Sequence, residues 1–498
     1  MHESFTSSDV RQNALLQYWE KVRLDSFVSA ATNDAQSTES FADLKAILPD
    51  ILALSFGGRG EVIEGRRAGP VQARTVPSAG ALYPYEIFVC VPEGLTRENT
   101  YLFRPDQNSL VAYGATCASE MARCAEISQR LPNQPDAVVV IASRPWLSMK
   151  KYGDRGYIYS TLDAGHAVFG LVAACKALNI DASVFIDIDK HAVIKALDLD
   201  NTCIQPVAAI SLKIANNIAV NVPLGKGRWE RDGRAVLEKP EADERNNWDR
   251  LLHPIHERGI AQIPHPLEVT ESLFSMLRSV SDNDPSEKAA TISTPSIETI
   301  YARRSVRGFQ NAPVEIKELQ KFCKAIDARA LTDFAKISAG ISAHLALVRG
   351  EDDEPCIYQI NDAGLVKKNK IIDKSDIASI LRERCMNQKI LKNLAGLIVL
   401  HAPAGQFLAG SNTNSFQAIH YHAAHVAQQM SLAAVDASFG ITCIGGFDGR
   451  KLSKIFAFSD DEEIIYVLAL GIPEDCAVKL DREAVPWAHG GHPSDSKG

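Results

Sequence analysis

Two tandem α+β domains are the fold class this sequence predicts, and three observations carry the prediction. At 498 residues the chain exceeds what one ordinary core supports, so two domains of about 200 residues are expected. The same succession of elements runs along it twice: a turn entering a strand, a second strand, a long small-residue helix, and a last strand. Between the two runs, residues 222–296 change in composition, with the charged, turn-rich GKGRWERDGRAVLEKPEADERNNWDR and the linker-like SDNDPSEKAATISTPS. The expected divisions are a first domain over 1–221, a connection over 222–296 and a second domain over 297–498.

Residues 1–56 read as helices with polar joints, the last being AILPDILALSF (46–56). The Gly57-Gly-Arg-Gly60 stretch that follows invites a phosphate-loop reading. Such a loop needs a strand before it and a helix N-terminus after it. Here a helical run precedes and EVIEGRRAG follows, so a plain loop is expected. Next comes Arg74-Thr-Val-Pro-Ser-Ala-Gly-Ala-Leu-Tyr-Pro84 and an apolar strand at 86–92. Pro77 pre-sets φ and Gly80 turns the backbone without a Cβ. Ser78, with the N–H groups around Ala79, can then face something flat and polar, although a tight turn entering a strand accounts for the same residues. A strand at 136–143, a long helix from Arg155 and a strand at 203–212 complete the half. The helix is apolar and small enough to lie in an interior or an intimate interface.

The second half repeats the order. After IETIYARRSVRGFQNAPVEIKELQKFCKAI (297–326) come a turn-strand at 337–348, a strand at 394–403, a long helix over 415–440, the segment CIGGFDG and a strand at 464–473.

Composition excludes several classes. A net charge of −8 argues against a nucleic-acid surface. No apolar run reaches the roughly 18 residues of a spanning helix, so no membrane association is expected. The opening MHESFTSSDVRQ lacks the basic and apolar regions of a signal peptide. The ten cysteines are scattered without a Cys-x-x-Cys pair, which suits reduced thiols and a cytoplasmic location. The thirteen histidines form no metal constellation.

Three further stretches bear chemistry. Arg303-Arg-Ser-Val-Arg-Gly-Phe309 sets guanidinium groups beside a hydroxyl, which suits phosphate because Arg forks onto its oxygens. A solvated helix face is the plainer reading of the same run. In Cys443-Ile-Gly-Gly-Phe447, Gly445 and Gly446 permit close approach of a ligand to the backbone. Lys151 and Tyr152 offer a base and an orienting hydroxyl, or else a solvated lysine and a packing tyrosine. Lys150 leaves the register of that pair open, and Arg155 and Tyr157 follow it.

These stretches together resemble the nitroreductase-like FMN flavoproteins. In particular they are similar to the SagB-type dehydrogenases, which oxidise azolines to azoles in modified peptides. The resemblance covers both halves but not 222–296. It implies two tandem nitroreductase-like domains forming an intrachain pseudo-dimer, with or without further oligomerisation. It also implies FMN as cofactor. Pro77, Ser78, Ala79 and Gly80 would lie against the pyrimidine side of the flavin. Arg303, Arg304, Ser305 and Arg307 would grip the phosphate and ribityl chain, with Arg482 as a trailing contact. Gly445 and Gly446 would approach the ring, and Lys151 and Tyr152 would serve catalysis. The first half has the turn and the Lys-Tyr pair, whereas the second has the Arg cradle and the glycine pair. Because the family builds each flavin site from two subunits, the resemblance implies one composite flavin site per chain. A peptide or small-molecule substrate and a biosynthetic partner such as a cyclodehydratase are implied with it. The rival expectations are an NAD(P)H-dependent nitro, quinone or enone reductase and a flavin-poor scaffold subunit.

Overall fold

The computed structural model describes residues 39–63, 71–131, 133–186, 188–200, 202–214, 227–256, 294–326, 341–351, 355–361, 364–370, 376–403 and 413–474. These residues divide into two compact units, 39–252 with 294–304, and 253–256 with 305–474.

The first unit is built on a seven-stranded sheet. Helix α1 (Glu39–Phe56) leads into a hairpin of β1 (Gly58–Ile63) and β2 (Val71–Arg74), then β3 (Tyr85–Cys90), β4 (Thr100–Arg104) and β5 (Ser109–Gly114). Helix α2 (Ala118–Cys124), β6 (Ala137–Ser143), α3 (Pro145–Tyr152), α4 (Arg155–Ala177), β7 (Asp181–Phe185), α5 (Lys190–Ala196) and β8 (Gln205–Lys213) follow. The sheet order is β7-β8-β6-β3-β4-β5, extended by the two-residue β9 (Arg228–Trp229), which pairs parallel with β5. All other pairs in this sheet are antiparallel. Strands β3 and β6 are buried along their whole length; the one charged residue in them, Glu86, pairs with Arg144 at 3.1 Å.

Helix α4 begins at Arg155, as expected. Among the described residues it alone is long and apolar enough to cross a membrane, yet 89% of its apolar window is buried inside the protein. It packs along α1 and α3, which is why it tolerates small apolar residues on every face.

The second unit comprises α8 (Ile316–Ala325), β10 (Ser342–Leu347), β11 (Cys356–Asn361), β12 (Gly364–Lys370), α9 (Ile377–Arg384), β13 (Gly396–Pro403), α10 (Thr413–Asp436), β14 (Gly440–Ile444), α11 (Gly449–Phe456) and β15 (Glu462–Gly471). Its sheet is six-stranded, β12-β11-β10-β13-β15-β14. Read from the other edge, that order reproduces the first sheet from β7 to β5, leaving β9 without a counterpart. The expected duplication is therefore present as topology.

It also holds residue by residue. The row Phe185–Ala209–Val140–Phe88 across β7, β8, β6 and β3 matches the row Ile444–Val467–Val399–His344 across β14, β15, β13 and β10. The register shift after Ile141 in β6 falls in the same place as the shift after Leu400 in β13. Four residues beyond Phe185 and Ile444, Asp189 and Asp448 each cap the next helix. This alignment places His344, His401 and Glu462 where the first unit buries Phe88, Ala142 and Ile204 in its core. The three are hydrogen-bonded in a line. His344 Nδ1 and His401 Nε2 lie 2.9 Å apart, and His401 Nδ1 lies 2.6 Å from Glu462 Oε2. Phe458 stacks on the His401 ring.

Three expectations differ from the structure. Gly58–Ile63 is a strand rather than a loop. The connection after β3 contains β4 and β5, each too short for its alternation to stand out. The described residues 227–252 of the compositionally distinct segment pack within the first unit. Trp229 Nε1 donates to Lys45 O at 2.7 Å, Arg144 pairs with Glu238 at 3.2 Å, and α6 (Ala242–His256) buries Trp248 near Tyr157. The charged residues that suggested a linker decorate the outer side of this strap.

Candidate active site

The Pro77–Gly80 turn is held from below by α4. Asp163, 2% exposed on that helix, accepts the Ser78 hydroxyl at 2.6 Å and the Ala79 N–H at 3.0 Å. Ser78 Oγ in turn accepts the Tyr83 N–H at 2.8 Å. The serine thus closes the turn rather than presenting its proton outward. Burial pushes the Asp163 carboxyl up to about 7, opposed by the hydrogen bonds from Ser78 and Ala79.

Gly80 sits at φ 62°, the left-handed region that suits glycine. A Cβ there would meet the Tyr152 hydroxyl and, at 2.7 Å, Lys151 Nζ. The Lys-Tyr pair and the turn, separated by about seventy residues of sequence, are therefore in contact. The two adjacent lysines go to different partners. Lys150 Nζ turns away to Glu244 Oε1 at 2.6 Å, while Lys151 reaches the turn. Lys151 itself is exposed.

The pair owes its position to the junction of α3 and α4. A Cβ on Gly156 would strike the Met149 and Ser148 backbone at 2.5 Å, so only glycine lets α4 start this close to α3. The Tyr152 ring stands edge-on to Tyr159 at 5.0 Å, and Arg155 Nε donates to the Tyr159 hydroxyl at 3.1 Å. Tyr157 packs instead against Trp248.

Sequence reasoning missed Tyr159 and Asp163. Both lie on the helical face that starts at Arg155, at i+4 and i+8. A lone acid in the middle of an apolar helix was the available signal.

Arg303 is 3% exposed in the first unit, following α7 (Ile297–Ala302), and is no surface arginine. Its Nε donates to Thr75 O, and its Nη2 to Arg74 O at 3.1 Å. Its guanidinium therefore straps the backbone just before the turn. Arg304 is exposed.

Ser305 and Arg307 belong to the second unit and are half-buried. Val306 N donates to Ile441 O at 3.1 Å, which sets this run beside the start of β14. Gly445 and Gly446 follow the other end of that strand. At the usual rise per residue, Gly445 lies about 13 Å along the chain from Ile441. A cation and a hydroxyl at one strand end, with paired glycines beyond the other, suit an elongated phosphate-bearing ligand. Arg482 lies outside the described residues. Among those described, no group of three or more His, Cys, Asp or Glu is placed to hold a metal ion.

The comparisons agree with this architecture. The Nitroreductase family profile matches residues 28–212 and 300–472, which is more than half of the chain. A Methanocaldococcus jannaschii protein named as a nitroreductase is 28% identical over 126 residues, or 24% of this chain and 64% of that protein. The match thus spans less than two thirds of that relative's length. Among solved structures, a protein described as a nitroreductase from Anabaena variabilis superposes with a TM-score of 0.64 at 17% identity, covering 93% of this chain and 99% of that one. That likeness speaks to fold alone. The McbBCD microcin synthetase complex of E. coli gives a TM-score of 0.31 at 18% identity, over 43% of this chain and 85% of that one. Nitroreductase family members are FMN-dependent oxidoreductases. With both family segments matched and the same sheet order built twice, the chain belongs to the Nitroreductase family.

Proposed function

We propose that the chain is an FMN-dependent dehydrogenase acting on an azoline-bearing peptide or a related natural-product intermediate. The observation that carries this reading is the contact of Lys151 and Tyr152 with Gly80 of the turn. Bound FMN would supply the hydride acceptor. Oxidising an azoline ring also removes a proton from carbon, and a base within reach of the substrate is needed to take it. Lys151 Nζ is that base in this reading, and the Tyr152 hydroxyl orients the substrate or passes the proton on. The edge-on Tyr159 ring and the Arg155–Tyr159 hydrogen bond hold Tyr152 in place.

Ser305 and Arg307 would hold the phosphate, with Gly445 and Gly446 admitting the ring to the backbone. Arg303 contributes by fixing residues 74–75. One FMN per chain is the count that the division of these residues between the halves implies. A cytoplasmic location and a partner that forms the azoline, such as a cyclodehydratase, belong to the same reading.

The test is to mix the flavin-loaded chain anaerobically with an azoline-bearing peptide and follow flavin absorbance. Bleaching that is lost in Lys151→Gln and Tyr152→Phe supports the dehydrogenase. Bleaching by NADH with none by the peptide favours a reductase. Failure to bind FMN even after reconstitution favours a scaffold.

A further inference from the structure

We propose that Asp163 is the positioning residue of this site: its carboxylate holds the Ser78–Gly80 turn in the conformation that seats Lys151 and Tyr152, and its protonation releases that hold. For its effect on the flavin the inference rests on the function proposed above. For its effect on Lys151 it does not.

The geometry forms a chain of single contacts. Asp163 accepts from the Ser78 hydroxyl through Oδ2 and from the Ala79 N–H through both oxygens. Ser78 Oγ already accepts from Tyr83 N, so its own proton is directed to Asp163. Gly80 follows Ala79, and the Tyr152 hydroxyl and Lys151 Nζ occupy the space a Cβ on it would need. A movement of the turn therefore reaches the pair directly.

Protonating Asp163 removes its charge and turns one of its acceptor sites into a donor. With the proton on Oδ2, that O–H donates to Ser78 Oγ and the serine proton loses its acceptor. A carboxyl this deeply buried is costly to keep ionised, and no lysine or arginine among the described residues pairs with it. Its charged form is retained by the turn alone, so the turn and the proton compete for the same oxygens. Tyr85 on β3 interacts electrostatically with Arg74, Tyr83 and Asp163, and Arg74 lies over the Tyr83 ring. Lys151 and Tyr152 stand across Gly80, and His166 follows on α4 itself. Burial pushes Asp163 up to about 7, which puts the exchange near neutral pH.

The experiment compares wild type, Asp163→Asn and Ser78→Ala as full chains between pH 5.5 and 8.5. Lysine acylation by an N-hydroxysuccinimide ester is read by mass spectrometry, with Lys150 as internal reference. In wild type the Lys151/Lys150 ratio should change severalfold with a midpoint near pH 7, and in both variants it should be flat. FMN affinity from fluorescence quenching should show the same midpoint in wild type and lose it in the variants. A ratio with the same midpoint in Asp163→Asn as in wild type overturns the proposal. If that variant shows no cooperative thermal unfolding, the same result in Ser78→Ala overturns it instead. A wild type that binds no FMN but shows the Lys151 midpoint would refute the flavin reading and leave the role of Asp163 standing.

Discussion

Replacing Asp163 with asparagine should stabilise the protein at pH 8 and flatten its stability between pH 5 and pH 8. The carboxyl is 2% exposed and its pKa is raised from 3.8 to about 7. Such a group favours the protonated native state. Its cost is absent below the unfolded value near 4, grows as pH rises, and is complete above about 7. Each tenfold rise in proton affinity corresponds to about 1.4 kcal/mol, so the fully ionised carboxylate costs about 4 kcal/mol. Roughly 3 kcal/mol of that should accrue between pH 5 and pH 8. Asparagine carries no charge but forfeits one of the two donors, a loss of about 1 kcal/mol. The two proteins should therefore be nearly equal at pH 5, with the variant ahead by roughly 3 kcal/mol at pH 8. For a unit of about 200 residues that is a gap in Tm of roughly 6–12 °C. Thermal unfolding followed by circular dichroism at constant ionic strength measures it. Parallel pH profiles for the two proteins would refute the reasoning, because Asp163 would then not be carrying a buried charge.

Gly80→Ala should cost about 1–3 kcal/mol for the left-handed backbone alone, and also displace Tyr152 and Lys151; a lowered Tm with loss of turnover would show both. Lys150→Gln should leave both stability and turnover essentially unchanged, since the lysine of its ion pair with Glu244 is largely exposed. Lys151→Gln should abolish turnover at unchanged stability; equal losses in the two variants would undo the assignment of the pair. His344 is pushed down to about 4, chiefly by burial and then by His401. A neutral buried imidazole loses stability as pH falls from about 6.5 towards 4. His344→Gln should therefore melt less acid-sensitively than wild type, by on the order of 1–2 kcal/mol after allowing for partial exposure.

The long helices and central strands were legible in the sequence because their signals are local. Helix α4 carries its apolar run from Arg155 onward, and β6 and β13 are unbroken Val, Ile and Leu runs. Strands β4, β5, β11 and β12 were not legible, being outer strands whose partners, rather than their alternation, make them strands. The Lys151–Tyr152 pair was readable from the motif, but its contact with Gly80 is set by the α3–α4 junction at Gly156 and has no local signature. Arg303 shows the opposite case, since a basic run that reads as a ligand cradle sends its first member into the protein's own backbone. Asp163 and the His344–His401–Glu462 line are polar groups in apolar surroundings. In one sequence a lone acid within a helix is visible as an anomaly, whereas three residues on three strands become a cluster only once the sheet register is known.

The central claim is that this tandem chain carries one flavin. The direct measurement is to purify the chain, reconstitute it with FMN, release the cofactor and count it against polypeptide. One FMN per chain, lost when Ser305 and Arg307 are replaced by alanine, is the predicted result. Two per chain would contradict the division of parts between the halves, and none would contradict the flavoenzyme reading itself.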